Sequence, residues 1–161
     1  MSKLYLAYGS NLNKAQMAFR CPDAVPVGKT KIPGYHLVFR RGVLTIEPCV
    51  GEFVPVAVWK ISEADEKALD RYEGFPRFYV KQDFLILLSR KENGVRIDEY
   101  QEAMAYVMND GFRIEAPSET YLATCAKGYD DFRIDKGQLF KARNEAKKGE
   151  EVWKYGRKLS W

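Results

Sequence analysis

The sequence contains few of the residues from which metal centres, disulfide frameworks and histidine-dependent active sites are built. Its 161 residues include one histidine, His36, and three cysteines, Cys21, Cys49 and Cys125. An odd number of widely spaced cysteines favours neither a disulfide framework nor a zinc site. A single histidine also argues against a metal centre and against a Ser-His triad, so we expect chemistry of another kind.

Long apolar runs are missing as well. No run approaches the length of a membrane span, and the start Met1-Ser2-Lys3 has no signal-peptide anatomy. We therefore expect a cytoplasmic protein without a membrane partner. The chain has no internal repeats and no low-complexity segments, and its length suits one domain with a full core.

The positive charge is concentrated at one end of the chain. Residues 136–161 contain eight Lys or Arg and three Glu, a charge of +5, which leaves about −1 of the total of +4 for residues 1–135. A nucleic-acid-binding protein carries its basic residues on a face of the folded domain. We expect no nucleic-acid partner. The predicted division is a domain over residues 1–135 and a basic helix and tail over residues 136–161, part of that domain or packed on it.

The remaining pattern predicts strands with helices inserted between them. Alternation and turn residues indicate strands over 4–8, 35–40, 44–47, 54–61, 79–88 and 101–108. Residues 21–33, with three prolines and one glycine, are typical of a loop, and Asn93-Gly94 predicts a hairpin. Helices are predicted over 14–20, after Ser62, after Ser118 and over roughly 136–148. About six mostly antiparallel strands predict an α+β fold, a small mixed β-barrel with flanking helices.

The stretch Tyr8-Gly9-Ser10-Asn11-Leu12 joins the first strand to the first helix. A glycine followed by two small polar residues is typical of a tight turn at a helix start. Several backbone N–H groups then converge on one spot, which attracts a carboxylate or a phosphate. The alternative is an ordinary capped turn without a ligand.

Glu73 is unusual in the helix that follows Ser62. It lies four residues after Leu69, so it extends the buried stripe, and it stands in the last turn, where the helix dipole opposes a negative charge. Both effects raise the pKa of a carboxyl group towards that of a useful general base. The alternative is a helix-end carboxylate paired with Arg71 or Arg77.

Three features together resemble the gamma-glutamylcyclotransferase family, also called AIG2-like. They occur in the family's order and spacing: Tyr8–Leu12, Leu69–Gly74 with Tyr79, and Ala105–Met108. The resemblance covers roughly residues 3 to 133. It implies a small β-barrel with a cavity beside the first loop, no metal and no organic cofactor. It also implies an enzyme that cyclises the glutamyl group of a γ-glutamyl amide to 5-oxoproline and releases an amine or amino acid.

The resemblance assigns roles to individual residues. Glu73 matches the family's acid/base carboxylate. The residues that match the loop gripping the glutamyl head and the aromatics around the pocket are Tyr8, Gly9, Ser10, Asn11, Leu12, Tyr79, Tyr106 and Tyr121. The expected partner is a small γ-glutamyl molecule. Dipeptides derived from glutathione, γ-glutamyl-lysine crosslinks and small metabolites all present this head, and both monomer and homodimer stay open.

Two other functions are compatible with the sequence. One is a non-catalytic module of the same fold that binds a γ-glutamyl or other carboxylate ligand. Glu73 and the three tyrosines favour the enzyme, because binding alone would not need a carboxylate facing the substrate. The other is an adaptor that works through the basic aromatic tail, which includes Phe140, Trp153, Tyr155 and Trp161.

Overall fold

One mixed sheet organises the chain in the computed structural model, which describes residues 2–159 and the side chains of residues 2–156. Trp161 lies outside the described residues. Residues 2–159 form five strands, a 3-10 turn and four α-helices. Their order is β1 (Lys3–Ala7), the turn (Ser10–Leu12), α1 (Lys14–Arg20), β2 (Val25–Arg40), β3 (Val43–Ile61), α2 (Glu63–Glu73), β4 (Tyr79–Glu92), β5 (Val95–Met108), α3 (Glu119–Asp131) and α4 (Gly137–Leu159).

The strand order in the sheet is β2-β3-β1-β5-β4, with β1 at the centre. β1 runs antiparallel to β3 and parallel to β5, and the other neighbours are antiparallel. The predicted α+β fold with a mixed, mostly antiparallel sheet is confirmed. The sheet is not closed, because β2 and β4 are its two edges. These edges approach where the Thr30 hydroxyl donates to the Leu87 carbonyl at 2.6 Å, so the sheet is barrel-like only in a loose sense.

The predicted loop over residues 21–33 is wrong, because most of it belongs to β2. Pro26 and Pro33 both stand beside register shifts in the pairing of β2 with β3. An edge strand with such irregularities tolerates residues that lack an N–H donor. The prediction of separate strands over 44–47 and 54–61 is also wrong, because the chain continues as a strand through Pro48 and Gly51. The segments 44–47 and 54–61 are parts of the single strand β3, which reduces six predicted strands to five.

The helix predicted after Ser62 is present as α2. The Ser62 side chain accepts from the Asp65 N–H, and the Asp65 carboxylate accepts from the Ser62 N–H, both at 3.1 Å. This reciprocal capping box starts the helix, and Gly74, with a φ of 64°, ends it in the left-handed conformation that glycine adopts readily. The two caps fix Glu73 as the last residue of α2.

The predicted C-terminal helix exists and is longer than expected. α4 buries Leu139, Ala142 and Ala146 in the same core as the strands. Within residues 2–159, no helix combines the length and apolar character needed to cross a membrane.

Helix α3 rests directly on the turn that follows β1. Gly128 lies within α3, at the point where the helix comes closest to the turn. A Cβ atom at Gly128 would lie 2.5 Å from the backbone nitrogen of Asn13 and 2.6 Å from the carbonyl carbon of Leu12. The next residue, Tyr129, is buried and donates its hydroxyl to the Tyr8 carbonyl at 2.9 Å. α3 therefore fixes the position of the loop.

Gly128→Ala should destabilise the protein by about 1–3 kcal/mol, because backbone atoms of another element occupy the space that the new methyl group needs. Gly156→Ala is the matched control, since a Cβ at this helical glycine meets nothing within 4 Å. There alanine should be neutral or stabilise the helix by roughly 1 kcal/mol. Urea unfolding of both variants measures the difference, and equal midpoints would contradict the close contact.

Candidate active site

A cavity of about 370 Å³ opens beside the loop that follows β1. Residues from this loop, from the start of β3, from the end of α2 and from β4 and β5 line it. The predicted site residues that the structure brings together there are Tyr8, Gly9, Ser10, Asn11, Glu73, Tyr79, Tyr106 and Tyr121. Leu12 does not line the cavity, because its side chain is fully buried in the core.

The loop turns through a short 3-10 segment. Its backbone bonds run from the Leu12 N–H to the Gly9 carbonyl and from the Asn13 N–H to the Ser10 carbonyl. The N–H groups of Gly9, Ser10 and Asn11 stay outside these bonds, as expected for the first residues of a helical turn. Since these three residues line the cavity, their N–H groups are candidates for holding an anion.

Gly9 leaves room for a neighbouring tyrosine. A Cβ atom at Gly9 would lie 3.2 Å from the Tyr121 hydroxyl oxygen, and the φ of Gly9 is −121°, so the position does not require left-handed backbone. The absence of a Cβ at Gly9 therefore matters because it leaves space for the Tyr121 hydroxyl. Neither Ser10 nor Asn11 caps the following helix. Asn13 caps α1 by accepting from the Gln16 N–H at 3.0 Å.

Side chains from several elements hold the loop. The Ser10 and Tyr72 hydroxyls are 2.9 Å apart, and the Asn11 amide donates to the Tyr5 hydroxyl at 2.9 Å. Arg20 donates to the Asn11 side-chain oxygen, and its guanidinium lies 3.3 Å from the centre of the Tyr72 ring. Strand β1 and helices α1 and α2 thus fix the same few residues.

The tyrosines of the cavity use their hydroxyl groups to support the structure. Tyr8 donates to the Tyr106 carbonyl, Tyr79 donates to the Leu44 carbonyl at 2.7 Å, and Tyr106 donates to Asp70. Burial raises the pKa of Tyr8, Tyr79 and Tyr106 well above the usual tyrosine value. All three therefore stay neutral at physiological pH.

Glu73 differs from these neighbours because its carboxylate forms no ion pair with any side chain of residues 2–156. Burial raises the pKa of Glu73 from 4.5 to about 7, and the nearby positive charge of Arg20 opposes part of this shift. Among residues 2–156, Glu73 forms no ion pair with Arg71 or Arg77, so the alternative of a paired helix-end carboxylate is not observed. Near neutral pH the group is present in both protonation states, as an acid/base residue requires.

Sequence reasoning missed several residues of the cavity wall. Tyr72, one residue before Glu73, is 42% exposed and lines the cavity. Tyr5, Arg41 and Phe78 line it as well. Tyr5 could have been suspected from its position in the strand before the loop. No sequence pattern indicated Arg41, because it lies in the turn between β2 and β3 and reaches the cavity only in the folded chain.

Within the described part of the chain, no group of three or more His, Cys, Asp or Glu residues is arranged to hold a metal ion.

The sequence of this chain is similar to sequences of known proteins. A family model described as "Gamma-glutamyl cyclotransferase, AIG2-like" matches residues 5–127. A Bos taurus protein named gamma-glutamylcyclotransferase is 32% identical over 84 residues, and the match covers 45% of this chain and 45% of that protein. The chain therefore matches less than half the length of this relative.

Solved structures share the fold. One named gamma-glutamyl cyclotransferase has a TM-score of 0.71 at 22% identity, over 91% of this chain and 87% of its own. A Homo sapiens protein described as uncharacterized has a TM-score of 0.67 at 23% identity, over 91% and 86%. YkqA from Bacillus subtilis has a TM-score of 0.66 at 17% identity, over 91% and 54%. At these identities the likeness concerns the fold.

Glu73→Gln should stabilise the protein at alkaline pH. Because the pKa of Glu73 rises from 4.5 to about 7 on folding, the folded protein keeps a proton between these pH values that the unfolded chain has lost. Stability falls as the pH rises through this window, and above it the ionised group costs the fold up to about 3 kcal/mol. Glutamine cannot ionise and removes this cost, so at pH 8 the variant should have a higher melting temperature than the parent protein.

Thermal unfolding at pH 8 and pH 4 measures this effect. The advantage of Glu73→Gln should nearly vanish at pH 4, where both states of the parent protein are protonated. Glu52→Gln, at an exposed position of β3, is the control and should change little at either pH. The same difference in melting temperature at both pH values would rule out a raised pKa for Glu73.

Proposed function

Because the chain belongs to the gamma-glutamyl cyclotransferase, AIG2-like family, we propose that it cyclises the glutamyl group of a γ-glutamyl amide. The products are 5-oxoproline and a free amine or amino acid. The observation that carries this proposal is the carboxyl of Glu73 in the wall of the cavity beside the loop Tyr8–Asn11. It has a pKa of about 7 and no ion-pair partner among the side chains of residues 2–156. The cavity thus offers a proton acceptor close to a set of anion-binding donors.

The loop is the proposed grip on the glutamyl head. The N–H groups of Gly9, Ser10 and Asn11 hold the α-carboxylate of the substrate, as helix starts hold anions elsewhere. The side chains of Tyr72 and Arg20 keep the loop in place while the substrate binds. A substrate held at this end can fold its chain so that its own amino group approaches the γ-carbonyl carbon. The nucleophile is already tethered, so positioning supplies much of the rate.

Glu73 is the proposed acid/base residue. Its carboxylate accepts a proton from the α-ammonium group of the substrate, and the freed amine attacks the γ-carbonyl carbon to form the ring C–N bond. The ring nitrogen, which is cationic after the attack, loses its extra proton to solvent, and the amide C–N bond breaks as Glu73 returns the first proton to the departing nitrogen. A group with a pKa near 7 suits both transfers at neutral pH.

A panel of γ-glutamyl amides tests the reaction, with 5-oxoproline as the measured product. The parent protein should convert at least one member, and Glu73→Gln should lose about 10²- to 10⁴-fold in kcat/KM, because proton transfer contributes rate of that order. Glu52→Gln serves again as the control and should keep the activity. Equal activity in Glu73→Gln would remove Glu73 from the mechanism. Stabilisation by the amides without turnover would favour a non-catalytic binding module.

The pH dependence of kcat/KM is a separate test of Glu73. Since only the ionised carboxylate accepts a proton, activity should rise with pH and show a midpoint near 7 in the free enzyme. Arg20 lowers the pKa of Glu73, so Arg20→Met should move this midpoint to higher pH. An unchanged midpoint in Arg20→Met would show that the titrating group is not Glu73.

A further inference from the structure

The last turn of α2 carries Glu73, and two strands of the sheet hold this turn through a second carboxylate. Asp70 lies three residues before Glu73, so the two side chains share one face of the helix. The Tyr106 hydroxyl donates to the Asp70 carboxylate at 2.5 Å, and the Lys81 ammonium lies 2.9 Å from the same carboxylate oxygen. Neither Asp70 nor Lys81 lines the cavity, so both lie outside the space proposed for the substrate.

The two donors come from neighbouring strands. Tyr106 in β5 is paired directly with Lys81 in β4, and the side chains of directly paired residues project from the same face of a sheet. Their hydroxyl and ammonium groups can therefore bind one carboxylate, which attaches the end of α2 to both strands at a single point.

This contact is largely shielded from water. Tyr106 is buried, and the side chains of Asp70 and Lys81 are about one quarter exposed, at 26% and 25%. Burial and the adjacent Asp70 carboxylate raise the pKa of Tyr106, so its hydroxyl keeps its proton and remains a donor. A hydrogen bond to an ionised acceptor is shorter and stronger than one between neutral groups.

The main chain of Asp70 also holds the end of the helix. The Phe75 N–H donates to the Asp70 carbonyl at 2.9 Å, which closes the backbone around Glu73. Tyr72 lies two residues after Asp70, on a different side of the helix, where its hydroxyl is 2.9 Å from that of Ser10. The last turn of α2 is thus held by the sheet through Asp70 and by the loop through Tyr72.

We propose that Asp70 is a positioning residue for Glu73. By binding Tyr106 and Lys81 it fixes the last turn of α2 on the sheet, and so sets the direction in which the Glu73 carboxyl faces the cavity. Glu73 itself has no ion-pair partner among the side chains of residues 2–156, so no such contact orients it directly. Proton transfer requires hydrogen-bond distances, and a small displacement of a reacting group lowers the rate strongly. This inference rests on the proposed cyclotransferase function.

Asp70→Ala and Tyr106→Phe test the positioning role, with the γ-glutamyl amide that the parent protein converts fastest as substrate. Each variant removes one half of the contact, and phenylalanine keeps the ring in the cavity wall. Each should lower kcat by about tenfold, because Glu73 is less well aligned, and leave KM nearly unchanged, because the loop N–H groups still hold the substrate. The double variant should lose no more than either single variant, since both break the same contact.

Glu66→Ala is the matched control. Glu66 lies one turn earlier in α2 and forms ion pairs with Lys81 at 2.8 Å and with Lys3 at 2.9 Å, whereas Tyr106 donates its hydroxyl to Asp70. This variant therefore also loses an ion pair to Lys81 but should keep the parent kcat. Thermal unfolding compares the stability that each variant loses.

Residue-resolved amide hydrogen exchange gives a readout that does not depend on turnover. The Phe75 N–H, bound to the Asp70 carbonyl, should exchange faster in Asp70→Ala and Tyr106→Phe than in the parent protein and in Glu66→Ala. Unchanged exchange would contradict the anchoring of this turn.

The kinetic outcomes separate the two proposals. A parent-like kcat in both Asp70→Ala and Tyr106→Phe would overturn the inference and leave the cyclotransferase proposal intact. Losses that multiply in the double variant, or an equal loss of kcat in Glu66→Ala, would do the same. Absence of 5-oxoproline from every amide with the parent protein would overturn the proposed function and this inference together.

Discussion

The contact between α3 and the loop after β1 is the constraint on which the rest of the site depends. Gly128 lets the two backbones approach, and the buried hydroxyl of Tyr129 binds the Tyr8 carbonyl. Because β1 lies at the centre of the sheet, the loop is attached to the sheet where it begins, and α3 packs against it at Gly128. Its N–H groups therefore keep one orientation without a ligand. Preorganised donors of this kind lose little freedom when an anion binds.

Glu73 illustrates how stability and chemistry oppose each other in this fold. Its place at the end of α2 follows from two strong local signals, the capping box at Ser62 and the left-handed Gly74. These signals hold a carboxylate in a partly buried position where no described side chain forms an ion pair with it, which is unfavourable for the folded state once the group is ionised. The same lack of a partner brings its pKa near neutrality. A salt bridge at this position would stabilise the carboxylate and make it a weaker base.

The features that could be predicted from the sequence are those that depend on interactions between residues close together in the chain. The helix after Ser62, the Asn93-Gly94 hairpin and the place of Glu73 in the last turn of that helix depend on residues a few positions apart, and all three are found in the structure. The first part of β2 was missed, because its prolines are tolerated only at a sheet edge, and the position of a strand in the sheet is decided by tertiary structure. The same holds for Arg41, which meets the cavity through a turn far from the loop in sequence. Its position at the cavity depends on the folded structure, and no local sequence pattern predicts it.

The engagement of the tyrosine hydroxyls has a consequence for the ligands that the cavity can recognise. The protons of Tyr8, Tyr79 and Tyr106 are already donated to acceptors of the protein. The hydroxyls of Tyr5 and Tyr121 differ, because they accept bonds from the Asn11 amide and from the Leu44 N–H and keep their own protons. A neutral oxygen of an incoming molecule can therefore bind at these two hydroxyls, while Tyr8, Tyr79 and Tyr106 offer it only the surfaces of their rings.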